Sequence, residues 1–452
     1  MLTKSLGLCL LAIAMPRAAA PQTSPDMQKI IDRLDQLENE NQKLLDEIHE
    51  LRNELRNAPN AAATAPTASA PTTTPTDERV DVVESRTADL EQSKVSASQR
   101  FPISLTGMLL FNAFENGRSS GGFEYPAAAS LAPSAANDGA TVRQTILGLK
   151  FNGPDLPGGG KVSGSIYMDF FGGTSVPYNN LFRIRTAALD LRWKNTTFTV
   201  GQDKPIISPR EPTSFAQVAV SPLTDAGNLW DWNPQVRVEQ RFSLGENSGI
   251  KAQAGVYETT ESYNTALPAE YATTLERSRP AYQGRIEFFH GNERRRFEIA
   301  PGFSLGATRV AGESVQSRIA SVDWLFRPFP LLEFTGEAFN GQDVGGLGAL
   351  PGFTILPYGT LIPVNSHGEW AQIALFPAPR LSFHVYSGEQ SNRPSDLASY
   401  SVQRNFVYAG NIMYKLAPNV LAALEAAQTR TQYLGSLLRL NNHYDLALAY
   451  LF

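Results

Sequence analysis

Cysteine is almost missing from this chain: its 452 residues contain one, Cys9, inside the first apolar stretch. A single cysteine gives no disulfide framework, and if that stretch is an export signal the mature chain has neither a thiolate metal site nor a cysteine nucleophile. Long apolar runs are missing too. Beyond the first twenty residues nothing reaches the roughly 18 consecutive apolar residues that a spanning helix needs. Excess positive charge is also absent. The 39 Lys and Arg stand against 44 Asp and Glu, a net charge of −5, which argues against nucleic acid as a partner because phosphate binding needs a basic surface.

Histidine is scarce. The five are His49, His290, His367, His384 and His443, and none lies in a Gly-x-Ser-x-Gly or His-Glu-x-x-His setting, so neither a nucleophile elbow nor a zinc signature is present. His384 and His443 fall on alternating segments where a water-facing position is expected. Gly158-Gly159-Gly160 sits between two such segments and reads as a turn, not a phosphate cradle. No enzymatic activity, cofactor or metal is expected. What these absences leave open is a membrane β-barrel, whose strands show one apolar and one polar face and so average to unremarkable hydropathy.

The N-terminus begins with Lys4, the apolar core Leu6 to Ala14 and the small residues Ala18-Ala19-Ala20. Residues 1–20 therefore read as an export signal, which would remove Cys9 from the mature chain. Within residues 21–57, Met27, Ile30, Leu34, Leu37, Asn41, Leu44, Ile48, Leu51 and Leu55 recur by threes and fours. That is a heptad seam for a coiled coil, with Asn41 fixing register at a cost in stability. Oligomerisation is the functional reading; an amphipathic helix packed on its own protein is the alternative. Residues 58–76 are almost wholly Ala, Pro and Thr, an extended linker. Residues 77–100 carry a shorter heptad (Val80, Val83, Thr87, Leu90), either a second coil or a short helix.

From Phe101 the texture changes to period-two alternation broken by Gly, Pro, Asn and Asp clusters. Ile103, Leu105, Gly107, Leu109, Phe111 and Ala113 share one face. Val162 to Phe170 and Val236 to Phe242 alternate in the same way, as do Leu332 to Ala338. The segment Phe182 to Trp193 switches parity near Ala187-Ala188, which predicts a bulge or displaced ends. The last segment sets Asn442, Tyr444, Leu446, Leu448, Tyr450 and Phe452 on one face, and its aromatic end resembles the recognition signal of bacterial outer-membrane barrels. About sixteen segments approach the 9–11 residues of a tilted spanning strand. The fold class is therefore an all-β transmembrane barrel of about sixteen antiparallel strands over residues 101–452, preceded by a helical coiled-coil extension. A soluble propeller or solenoid fits less well, because no fixed-length repeat is present.

With signal, coiled coil, linker and barrel in this order, the chain resembles trimeric porins of the DcaP-like type and, more distantly, phosphate-selective porins. The resemblance rests on the Arg183 to Arg185 strand, on Val200-Gly201-Gln202 before a long loop, and on Phe452. It implies a homotrimer in the bacterial outer membrane with the coiled coil in the periplasm. It also implies an inward-folded constriction loop and a preference for anionic solutes such as dicarboxylates. The lysine-rich lumen of phosphate-specific relatives is not evident.

The polar strand faces offer Arg143, Arg183, Arg185, Arg237, Arg241, Arg285 and Lys161 as pore-lining anion contacts. Arginine suits carboxylates, being permanently charged and forked. The same faces carry Asp169, Glu239, Glu287, Asp323, Glu333, Glu337 and Glu425, so the alternative is that opposite charges satisfy one another across a wet, weakly selective pore. The loop from Asp203 to Asn233 holds Lys204, Arg210, Trp230 and Trp232. It reads either as a constriction inside the lumen or as an external loop packed on a neighbouring subunit. Outer-membrane lipid, further copies of the chain and small anionic or neutral solutes are the expected partners. The rival to a channel is a structural or adhesive barrel tethered to peptidoglycan through its coil.

Overall fold

The computed structural model describes residues 103–173, 180–259, 269–276, 279–292, 294–356 and 359–452. The signal, both heptad segments and the linker lie outside the described residues, and with them Ile30, Leu34, Leu37, Asn41, Leu44, Ile48 and Leu51.

Strands follow one another almost without helix. In chain order they are β1 (Ile103–Asn116), β2 (Asn137–Thr141), β3 (Ile146–Leu156), β4 (Gly160–Gly172), β5 (Leu181–Arg192) and β6 (Thr196–Asp203). Next come β7 (Asn233–Ser243), β8 (Ser248–Glu258), β9 (Pro280–Asn292), β10 (Arg295–Val310), β11 (Glu313–Phe329) and β12 (Leu332–Gln342). Then follow β13 (Phe353–Ile355), β14 (Leu361–Pro363), β15 (Asn365–Ala378), β16 (Leu381–Asn392), β17 (Val402–Ala417), β18 (Val420–Tyr433) and β19 (Arg439–Leu451). β13 and β14 form a separate hairpin, and β2 and β3 are two halves of one span that both pair with β1, so the main sheet makes a wall of sixteen spans. β1 pairs with β19 from Met108↔Leu451 to Asn116↔His443, which closes the wall into a cylinder without edges.

Alternation explains the closure. Leu105, Leu109 and Phe111 of β1 are exposed outward, and so are Val236 and Phe242 of β7 and Tyr444, Leu446, Leu448 and Tyr450 of β19. Their neighbours in sequence, among them Asn112, Gln235, Asp445 and Ala447, are buried on the inside. A surface this apolar is stable where acyl chains, not water, surround it. The expected parity therefore holds in β1, β4, β7, β12 and β19. The bulge expected near Ala187-Ala188 lies slightly earlier. Tyr167 pairs with Thr186 and Met168 with Ile184, so Arg185 is the extra residue. The terminal Phe452 shares two backbone hydrogen bonds with Gly107, and its ring covers that glycine.

One end of the wall has short connections, such as 330–331, 379–380 and 418–419, and the other carries the long loops. An exception at the long-loop end is the two-residue turn Ala311-Gly312, where both φ angles are positive (51° and 80°), as a tight hairpin matched to strand twist requires. The expectation that His384 and His443 face water is corrected: both are buried, and His443 bonds Asn116 Oδ1 at 2.9 Å between the rings of Phe114 and Tyr125. The packed interior lies inside the cylinder, where the loop between β6 and β7 meets the wall.

Candidate functional site

That loop, residues 204–232, is folded into the lumen, and its apolar residues explain why it stays there. Ile207 and Leu229 are fully buried against Tyr257, Ile319, Phe339 and Leu347. Phe215 and Val218 pack on Met108, Leu110, Met413 and Leu421. Leu223 and Ala226 lie against Trp370, Tyr386 and Val407. Burying such side chains stabilises the arrangement by about 1.5–3 kcal/mol each.

Polar anchors fix its course around the wall. The Ile206 amide donates to Gln283 Oε1 on β9 at 2.7 Å, and Ser208 Oγ to Glu337 Oε2 on β12 at 2.6 Å. The Thr213 amide donates to Gln372 on β15, and Ser214 Oγ to Glu425 on β18, both at 2.7 Å. Asn112 of β1 donates to the Phe215 carbonyl at 2.8 Å, and Asn405 of β17 to that of Asp225 at 3.1 Å. Gln144 is turned inward by the break between β2 and β3. It accepts from the Val218 and Ala219 amides at 2.6 and 2.9 Å and donates to the Ala216 carbonyl at 2.8 Å. Across the same break, Thr145 Oγ1 accepts from the Leu110 amide at 3.1 Å and keeps β1 satisfied.

The basic side chains fall into two groups. On the wall formed by β2 to β5, Arg183 forks onto Asp169 (Nε to Oδ1 3.1 Å, Nη2 to Oδ2 2.6 Å) and also donates to the Ala219 carbonyl of the loop at 2.5 Å. Arg185 reaches the same carboxylate at 3.2 Å. Arg143, in the break, pairs with Glu124 at 3.4 Å and lies 4.5 Å above the Phe171 ring. Trp232, at the end of the loop, stacks under both Arg183 (5.0 Å) and Arg185 (4.5 Å) and meets Trp230 edge-on at 5.4 Å. Three guanidiniums thus pair with two carboxylates, with Glu211 and Asp231 of the loop close enough to act on Arg185 and Arg183, and aromatic faces offset part of their lost hydration.

On the wall formed by β8 to β12 four cations and three carboxylates interlock. Arg285 is held by Asp323 at 2.7 Å and Glu287 at 2.8 Å, and Lys251 by Glu287 at 3.1 Å. Arg210 of the loop reaches into this group, bonded to Asp323 at 3.1 Å and to Glu298, which Arg296 also contacts. Lys204 pairs with Glu211 within the loop at 2.7 Å, and Arg237 with Asp203 at 2.6 Å. Arg241 is exposed, 4.0 Å from Glu239 and over the Phe289 ring. Lys161 is exposed at the start of β4, where it is opposite Arg192 and Asp155 in the ladders, away from the loop.

The loop itself carries three acids, Glu211, Asp225 and Asp231. Burial pushes the Asp225 carboxyl up to about 7. Burial also raises Asp231, against the opposing effects of the Trp232 amide and Arg183. Sequence reasoning found the acids of the strand faces but missed the anchors Asn112, Gln144, Ser208, Thr213, Ser214, Asn405 and Asn411. The alternation of β1 and β17 is the signal that could have found Asn112, Asn405 and Asn411, the last of which donates to the Thr213 carbonyl at 2.8 Å; nothing local marked Ser208 or Ser214.

No family model matches the chain, and no curated protein matches it. Among solved structures it is similar to the outer membrane channel DcaP of Acinetobacter baumannii, at 17% identity over 77% of this chain and 97% of that one, with a TM-score of 0.64. It is also similar to the anion-selective porin from Comamonas acidovorans, at 13% identity over 77% and 99% of the two chains, with a TM-score of 0.51. At these identities the likeness carries architecture, and the architecture is that of outer-membrane porins: a closed, antiparallel, sixteen-stranded barrel.

Proposed function

We propose that this protein is a bacterial outer-membrane channel through which small hydrophilic solutes diffuse passively, with a preference for anions such as dicarboxylates. The observation that carries the reading is the strip Arg143, Arg183 and Arg185, whose three guanidiniums face two carboxylates, Asp169 and Glu124, beside the inward loop. Guanidiniums on a low-dielectric wall favour anions over cations as they pass, and the planar forks offer weak, exchangeable contacts to carboxylates. In this reading Arg210, Arg237 and Arg285 are ion-paired struts that hold the loop and the wall. The heptad segment joins copies of the chain into a homotrimer on the periplasmic side.

Reversal potentials across a planar bilayer under a salt gradient test the reading. Arg185→Ala lowers the anion-to-cation permeability ratio by about threefold, the size expected from one removed charge near the path; an unchanged ratio defeats the anion strip.

A second reading has its own support. The loop is bonded to spans on nearly every side of the lumen, as a plug would be. A barrel so obstructed serves as an envelope anchor, tethered through its coil to peptidoglycan. Liposome swelling with a small dicarboxylate and a sugar of similar size separates the two, because an anchor admits neither.

A further inference from the structure

Gln202 stands where the ladder between β5 and β6 ends. The last pair is Ala187↔Gln202, and no residue of β6 lies opposite Ile184, Arg185 or Thr186. Those three residues are also where β5 bulges, with Arg185 the extra one. A bulge leaves a residue unpaired and turns its strand, so backbone groups there need partners from elsewhere. The Gln202 side chain supplies them: Nε2 donates to the Ile184 carbonyl at 3.1 Å and to the Arg185 carbonyl at 3.0 Å. By alternation Gln202 shares the outward face of Phe198 and Val200, and Ile184 and Phe182 beside it are exposed apolar side chains. Carbonyls among such apolar side chains find few donors, and one left unsatisfied destabilises the strand.

The preceding residue fits the same role. Gly201 has φ 142°, and a Cβ there would run into the Ala187 carbonyl and Ala188. Glycine lets β6 press against β5 so that the amide one residue on can reach two carbonyls. The bulge in turn sets the side chains. Arg183 and Arg185 both point inward onto Asp169, and Thr186 also turns to the inside, opposite Tyr167.

We propose that Gln202 is a positioning residue: its outward-facing amide clamps the β5 bulge and thereby aims Arg183 and Arg185 into the lumen. The proposal rests on the anion-strip reading for its functional consequence, but the clamp itself can be tested apart from it.

Two measurements do so. The first compares permeability ratios of the parent, Gln202→Leu, Arg185→Ala and the double variant, each shown by its heat-modifiable gel band to be folded. The clamp predicts that Gln202→Leu lowers the ratio nearly as far as Arg185→Ala, about threefold, and that the double variant adds little, because both changes remove the same interaction. Gln202→Asn, one methylene short of both carbonyls, behaves the same way and stands in if Gln202→Leu does not fold. Losses that multiply, or a parent-like ratio in both Gln202 variants, overturn the proposal. The second measurement places Cys at position 185 and follows its labelling by a neutral, water-soluble methanethiosulfonate. Adding Gln202→Leu or Gln202→Asn slows labelling severalfold if the clamp holds the residue toward water, and equal rates overturn it. Should Arg185→Ala leave selectivity unchanged, the anion reading fails while the labelling still decides the clamp.

Discussion

The two walls beside the inward loop use the same residue type to different ends. Between β8 and β12, Arg210, Lys251, Arg285 and Arg296 meet Glu287, Glu298 and Asp323 in one continuous network, with Glu337 nearby bonded to neutral partners. Between β2 and β5, Arg143, Arg183 and Arg185 pair with Asp169 and Glu124, have Glu211 and Asp231 of the loop nearby, and lean on Phe171 and Trp232. The first wall ties its charges into a network that holds a loop in place. The second rests its guanidiniums on aromatic rings. An arginine count along the chain says nothing of this difference; it lies in which carboxylate each guanidinium reaches.

Removing charge from each wall breaks the comparison in order of size. The largest effect is expected at Asp323, which is 1% exposed and bonded to both Arg285 and Arg210. Asp323→Ala leaves the buried Arg285 and the half-buried Arg210 each short of a partner and costs about 3–5 kcal/mol, read as a lower temperature for the heat-modifiable shift; an unmoved transition means the network is not structural. Next comes Gln144→Ala. It deletes three bonds to the loop and leaves its backbone groups to find water, at about 1–3 kcal/mol. The expected signature is a noisier and larger single-channel conductance, and conductance identical to the parent would show that the loop is held without this residue. A smaller contrast sharpens the comparison from the other side. Arg241→Ala, on an exposed side chain with only a 4.0 Å contact, leaves the permeability ratio within error while Arg185→Ala lowers it.

The last test is a pH dependence. The Asp225 carboxyl sits at about 7 when folded, against an ordinary value near 4. The folded loop therefore binds a proton that the released loop gives up between those values. Stability contributed by this group is greatest below about 4, declines through the window and is lost above about 7. Hydrogen exchange of the 223–228 amides, corrected for its intrinsic pH dependence, should show weaker protection at pH 8 than at pH 5. In Asp225→Asn that difference disappears, and its persistence would assign the effect to another group.

How much of this was legible beforehand depends on the range of the interaction. Strand parity was, because alternation is local: the faces read from Val162 to Phe170 and from Asn442 to Phe452 are the faces found. The bulge was legible as an anomaly, misplaced by two residues because its cause, the extra Arg185 between Tyr167 and Met168, is a matter of pairing and not of propensity. The loop was legible as long, but not its destination. Ser214 meets Glu425 from 211 positions away and Asn112 meets Asp445 from 333, and no pattern in either segment announces its partner. The shared use of Asp169 by two arginines was hidden for the same reason.

The seam between β1 and β19 has a bearing on how such a wall can come to exist. Every other neighbouring pair of spans is consecutive along the chain and can zip from a hairpin, whereas this one joins the two extremes of the sheet. Until it forms, both margins expose unpaired amides and carbonyls that any other extended chain could occupy. Contacts of such separation also form slowly. An unclosed ribbon is therefore open to self-association until Phe452 reaches Gly107.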